Sequence, residues 1–184
     1  MGLDIHVISD NYEQLYSSDE ESKYSYLHSL SRTFCYFMGR KNIVKTPELD
    51  QIGKLIGINI LPLYEMETYS DDLDWLEFMD SEEEKQNIIL KNNRARENID
   101  GNIDKIIDIV HQLTTQLYKT DNLILKIWDN DHDTLGNGEY FSEFESDLGD
   151  GYIGNNLGHD LRNLQRFLEF AKNRGANTVW FSYG

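Results

Sequence analysis

A mainly α fold is what the sequence predicts: a helical bundle with a small sheet formed by the N- and C-terminal strands. Two observations carry it. Apolar residues recur at spacings of three and four through the interior, and strand-like texture is confined to the two ends of the chain. A third, the run of cap residues that punctuates the helical stretches, sets the boundaries.

In chain order, Leu3 to Ser9 alternates, with Leu3, Ile5 and Val7 on one side and Asp4, His6 and Ile8 on the other, the period of a half-buried strand. Tyr26 to Arg40 reads as a first long helix. Thr46-Pro47-Glu48 opens another, with Thr46 as the capping side chain and Pro47 at the first helical position, and Gly57 ends it. Ser81 followed by three glutamates is an N-cap with acids in the first turn, where they favour the helix dipole. From about Asn98 to Lys119, Ile99, Ile103, Ile106, Ile107, Val110, Leu113 and Leu117 cover one face of a single helix. The last helix, Leu157 to Asn173, follows a glycine-rich connection from Gly149 to Gly158, with Asn155 and Asn156 as N-cap residues and Gly175 at its end. Asn177 to Tyr183 is rich in β-formers and is expected to pair with the N-terminal strand.

The 184 residues fit one domain, since no segment reads as a linker and the 39% apolar fraction is enough to bury a core. No signal-like N-terminus and no long apolar run is present, so a soluble, cytoplasmic protein without a membrane partner is expected. Cys35 is the only cysteine, which excludes an internal disulfide and a cysteine-based zinc cage, and its apolar neighbours predict a buried thiol.

The formal charge of −16 is unevenly placed. Residues 65–84 hold ten acids and no base, and residues 127–150 hold eight more, whereas residues 22–47 carry five bases and no acid. An acidic surface disfavours nucleic acid as a partner, because affinity for phosphate backbones comes from basic surfaces. It suits a basic protein instead. The expected docking residues are Glu65, Glu67, Asp71, Asp72, Asp74 and Trp75, with Tyr64, Tyr69 and Phe78 as further aromatic anchors or as core.

Four groups of residues could carry chemistry. Asp129, Asp131 and Asp133 alternate as in the start of a calcium loop, but Thr134 and Tyr140 stand where an EF-hand needs glycine and glutamate, so a solvated turn competes with a cation site. Gly149-Asp150-Gly151-Tyr152-Ile153-Gly154 spells a G-x-G-x-x-G without the strand that a dinucleotide site requires, leaving tight turns or an anion at the following helix start near Arg162. Asp104, Asp108 and His111 lie at helical offsets that let them share a divalent metal if another helix adds ligands; otherwise they form an exposed polar face. Asp4, His6, His28, Arg32, Asp150, Asn155, Asn156, His159 and Asp160 would converge if the terminal strands pair and the last helix packs on them, and carboxylate with imidazole suits acid–base work.

Glu82-Glu83 with Gln86, followed by Glu97-x-x-Asp100, resembles the paired acidic motifs of the all-α nucleotide pyrophosphohydrolases over fewer than 20 residues, with Gln86 standing in the place of the third acid. That resemblance implies magnesium held against a nucleoside triphosphate. The opening Met-Gly-Leu-Asp-Ile and Ser29 to Cys35 resemble segments of small bacterial proteins, a likeness that implies no activity. The leading expectation is thus a non-enzymatic, immunity- or inhibitor-like interaction module for a basic partner, needing no cofactor. The alternative is a hydrolase of a nucleotide or phosphate ester that uses a divalent cation: magnesium, calcium or a transition metal.

Overall fold

The computed structural model describes residues 4–16, 30–127, 138–142, 144, 145, 147–149 and 156–184. It is mainly helical, with one two-stranded antiparallel sheet built from the two ends of the chain. Strand β1 (Ile5–Ser9) leads through a short helix α1 (Tyr12–Tyr16) to α2 (Arg32–Gly39), α3 (Glu48–Ile56) and the one-turn α4 (Leu61–Glu65). Then come α5 (Glu82–Ile99), α6 (Ile103–Tyr118), α7 (Leu157–Lys172) and strand β2 (Val179–Tyr183). Ile5 faces Tyr183 and Ser9 faces Val179 across the sheet, so the terminal strands pair as their alternation predicts.

Helix boundaries follow local chemistry. Ser31 is extended and its hydroxyl accepts the Phe34 N–H at 3.1 Å, so α2 starts at Arg32, inside the longer helix expected from Tyr26. Pro47, where the first helical position was expected, takes the N-cap place of α3, and the Thr46 carbonyl accepts from Gln51 Nε2 at 2.7 Å. Gly57 ends that helix in the left-handed region at φ 75°, as expected. Ser81 caps α5 through the Glu84 N–H, and Asn156 caps α7 through the His159 N–H at 2.8 Å. At the far end of α7, Ala176 N–H returns to the Ala171 carbonyl and Gly175 N–H to Lys172, with Gly175 at φ 93°, a Schellman closure.

The expected single helix from Asn98 to Lys119 is two elements. Asp100, Gly101 and Asn102 break it, Gly101 at φ 64°, so Ile99 closes α5 while Ile103 opens α6. The break is held from outside the helices. Asn102 spends its amide on β2, donating to the Val179 carbonyl and accepting the Val179 N–H, both at 2.9 Å. Gly101 N–H donates to Thr178 Oγ1 and Ile103 N–H to the Asn177 carbonyl. In an antiparallel pair alternate residues turn their amides outward. Val179 and Phe181 do so here, and Asn102 and the Met66 carbonyl receive them, which covers the first part of the outer edge of β2.

The core lies where α6 and α7 pack on each other, with α7 also packing on β1. Ile106, Val110, Leu113 and Leu117 of α6 meet Leu161, Leu164, Phe167 and Leu168 of α7, all buried. A second aromatic layer joins α2 to the 3₁₀ turn Gly138–Phe141, where Phe37 stacks on Tyr140 at 5.4 Å and meets Phe141 edge-on at 4.8 Å. Burying one such ring contributes roughly 2–3 kcal/mol, which is why these distant segments converge. Helix α5 is different: only Ala95 and Ile99 are buried, and the rest of its 18 residues are a largely solvated face. Among the described residues no helix is long and apolar enough to cross a membrane.

Candidate functional site

The acidic stretch from Glu65 to Glu84 forms a braced surface segment. Met66 is fully buried and its carbonyl accepts the Phe181 N–H at 2.9 Å, fixing the start to β2. Tyr69 meets Trp180 edge-on at 5.2 Å. Ser70 exchanges two backbone hydrogen bonds with the Asn92 amide of α5, each at 2.9 Å. Asp72 Oδ1 accepts the Asp74 N–H at 3.0 Å, an Asx turn that leads into the 3₁₀ turn Asp74–Phe78. Leu76 is the one buried side chain of that turn, so its neighbours point outward. Trp75 is 50% exposed and Phe78 88% exposed. Asp71, Asp72, Asp74, Glu77 and Asp80 are exposed around them.

The docking residues expected from sequence therefore divide. Asp71, Asp72, Asp74 and Trp75 share this outer surface, whereas Glu65 turns toward Lys105 of α6 at 3.7 Å. Glu67 turns inward. Burial raises its carboxyl above the ordinary glutamate value, opposed by a hydrogen bond from the Tyr183 hydroxyl and by the charge of Lys41. Burial and Glu67 in turn push the Tyr183 phenol above its usual range. Of the other expected anchors, Tyr64 is core and Phe78 lies on the surface.

Asp104, Asp108 and His111 lie on the exposed side of α6, and Asp104 forms an ion pair with Lys172 of α7. Among the described residues no group of three or more His, Cys, Asp or Glu side chains is placed to hold a metal ion. Asp129, Asp131 and Asp133 lie outside the described residues, as do His28, Asp150, Asn155 and most of the glycine-rich connection. Glu97 and Asp100 belong to α5 and the break after it, not to the helix that carries Asp104 and Asp108.

The dispersed group around the terminal strands is partly assembled, and α2 does the assembling. Arg32 at its start donates to Asp4 at 2.9 Å, an exposed pair that lowers the Asp4 carboxyl. One residue earlier, Ser31 binds Asp160 of α7 through its N–H at 2.8 Å and its hydroxyl at 2.6 Å. The Tyr140 hydroxyl adds a third hydrogen bond to Asp160 at 2.9 Å. Asp160 is fully buried, and burial pushes its carboxyl up to about 6 against Ser31, Tyr140 and the charge of His159, which all favour the ionised form. His159 is also buried, its Nε2 3.1 Å from Asn163 Nδ2. These contacts tie three segments together inside the core.

Two groupings carry no trace in sequence spacing. Arg40 and Glu48 form a buried ion pair at 2.8 Å, with Arg40 also donating to the Tyr36 hydroxyl at 2.6 Å. Arg96, Tyr69 and Trp180 form a stack at the edge of the acidic segment. Cys35 is buried as expected, and burial together with Glu67 and Asp4 raises its thiol, which disfavours the reactive thiolate. No family model matches the chain, and neither a curated protein nor a solved structure matches it.

Proposed function

We propose that the chain is a non-enzymatic interaction module that docks a basic protein on its acidic segment, in the manner of an inhibitor or an immunity protein. The observation that carries this reading is the pair of exposed aromatic rings, Trp75 and Phe78, set among five exposed acids on a backbone that is braced to both β2 and α5. Leaving large rings in water forgoes their burial energy, and such residues are typical anchors at interfaces. The surrounding carboxylates would speed encounter with a basic surface and reject acidic ones, while the rings supply affinity. Bracing matters because a segment already in its bound shape loses less entropy on docking.

The test is capture from cells of the source by the purified chain, at low and at moderate salt, beside a Trp75→Ala, Phe78→Ala double variant. The proposal expects a protein with more bases than acids, retained by the native chain and lost with the variant. Recovery of no basic protein at either salt, or equal recovery by the variant, would overturn it.

A further inference from the structure

A cleft of about 430 Å³ lies between α1, the ends of both strands and the start of the acidic segment. Three of its lining residues form a stack: the Arg96 guanidinium carbon is 5.4 Å from the ring centres of both Tyr69 and Trp180. Trp180 is 6% exposed. Its indole Nε1–H and the Nη1 of Arg96 are shielded from water and have no hydrogen-bond partner among the described residues. In a chain with 33 acids, this guanidinium meets two rings and, among the described residues, no carboxylate. A buried donor left unpaired is destabilising, and folded proteins hold few of them. Both residues line one cleft, so the acceptor they lack can come from a ligand held there.

The shape of the donors and the sign of the rim together select its chemistry. A guanidinium fork beside an indole N–H suits the two oxygens of a carboxylate. The rim carries Asp10, Glu13 and Asp71, all exposed, which would repel a bare dianion such as phosphate. They would attract an ammonium or guanidinium group on the same ligand. The volume falls within the range of small-molecule sites. We infer that the cleft binds a small zwitterion, a free α-amino acid with a basic side chain being the best fit. Its carboxylate would meet Arg96 and Trp180, and its cationic groups would meet Asp10, Glu13 and Asp71.

Titration calorimetry and thermal melting of the full chain test this with L-lysine, L-arginine and glycine, beside acetate, cadaverine and inorganic phosphate. Saturable binding of L-lysine or L-arginine is expected, with acetate and cadaverine at least tenfold weaker because each lacks one half of the zwitterion. Arg96→Gln should weaken lysine or arginine binding at least tenfold with the fold retained. Trp180→Phe, which keeps an aromatic ring and removes the N–H, should weaken it severalfold and decides the matter should the arginine variant not fold. The inference is overturned by the absence of heat and of any melting shift with lysine and arginine at about 10 mM. Phosphate or acetate binding as tightly as lysine, or unchanged binding in the folded variants, would overturn it equally.

Discussion

Replacing Asn102 by alanine removes the side chain that joins the α5–α6 break to Val179 of β2. The amide is 7% exposed, and both of its hydrogen bonds go to the backbone of Val179, a residue with no exposed surface. The substitution therefore deletes two hydrogen bonds and strands a buried N–H and a buried C=O. Each stranded group costs about 1–3 kcal/mol, and partial entry of water into the vacated space offsets some of it, so the expected loss is about 3 kcal/mol. For a chain of this size that corresponds to a fall of roughly 6–12 °C in melting temperature. Asn102→Asp should be no better, because one carboxylate oxygen would face the Val179 carbonyl. Urea unfolding followed by tryptophan fluorescence measures the loss, and hydrogen exchange locates it: the Val179 amide should be protected in the native chain and exposed in the variant. A loss below about 0.5 kcal/mol, the range of surface substitutions, would refute the reasoning. Rapid exchange of Val179 in the native chain would do so too.

Two further outcomes follow from the buried polar groups. Asp160 titrates near 3.8 when unfolded and near 6 in the fold, so the native state holds its proton longer, and stability should fall by about 3 kcal/mol as pH rises from about 4 to about 6 and then level off. Urea titrations of the native chain and Asp160→Asn across that window should differ by this slope; parallel curves would refute it. Glu48→Ala leaves the Arg40 charge, 3% exposed, without its carboxylate and should cost about 3–5 kcal/mol. The paired change Arg40→Met, Glu48→Leu should recover much of that loss in the same assay, and equal losses in the single and double variants would contradict the account.

The pairing of the chain ends was legible because Leu3 to Ser9 and Asn177 to Tyr183 carry their pattern locally. The caps at Ser81, Asn156 and Gly57 were legible for the same reason. The α5–α6 break was harder, since Ile99 and Ile103 keep a helical spacing straight through Asp100, Gly101 and Asn102. Gly101 inside the pattern was the available signal, as an interior glycine costs a helix about 1 kcal/mol. Asp160 has the place of an ordinary first-turn acid. What buries it are Ser31, 129 residues away, and Tyr140, 20 residues away. The cluster of Arg96, Tyr69 and Trp180 likewise joins three segments that no local pattern links. The acidic segment was visible as charge, but only the packing of Leu76 and Met66 separates the outward Trp75 and Phe78 from the inward Glu67.

The docking surface is tested most directly by placing a photo-cross-linking amino acid at Phe78 and irradiating living cells of the source. Ile43 and Leu125 serve as controls, because they are comparably exposed apolar positions outside the acidic segment. The account predicts one covalent adduct from position 78 with a protein rich in lysine and arginine, and none with that protein from positions 43 and 125. No adduct at 78, or the same adduct from all three positions, would contradict it.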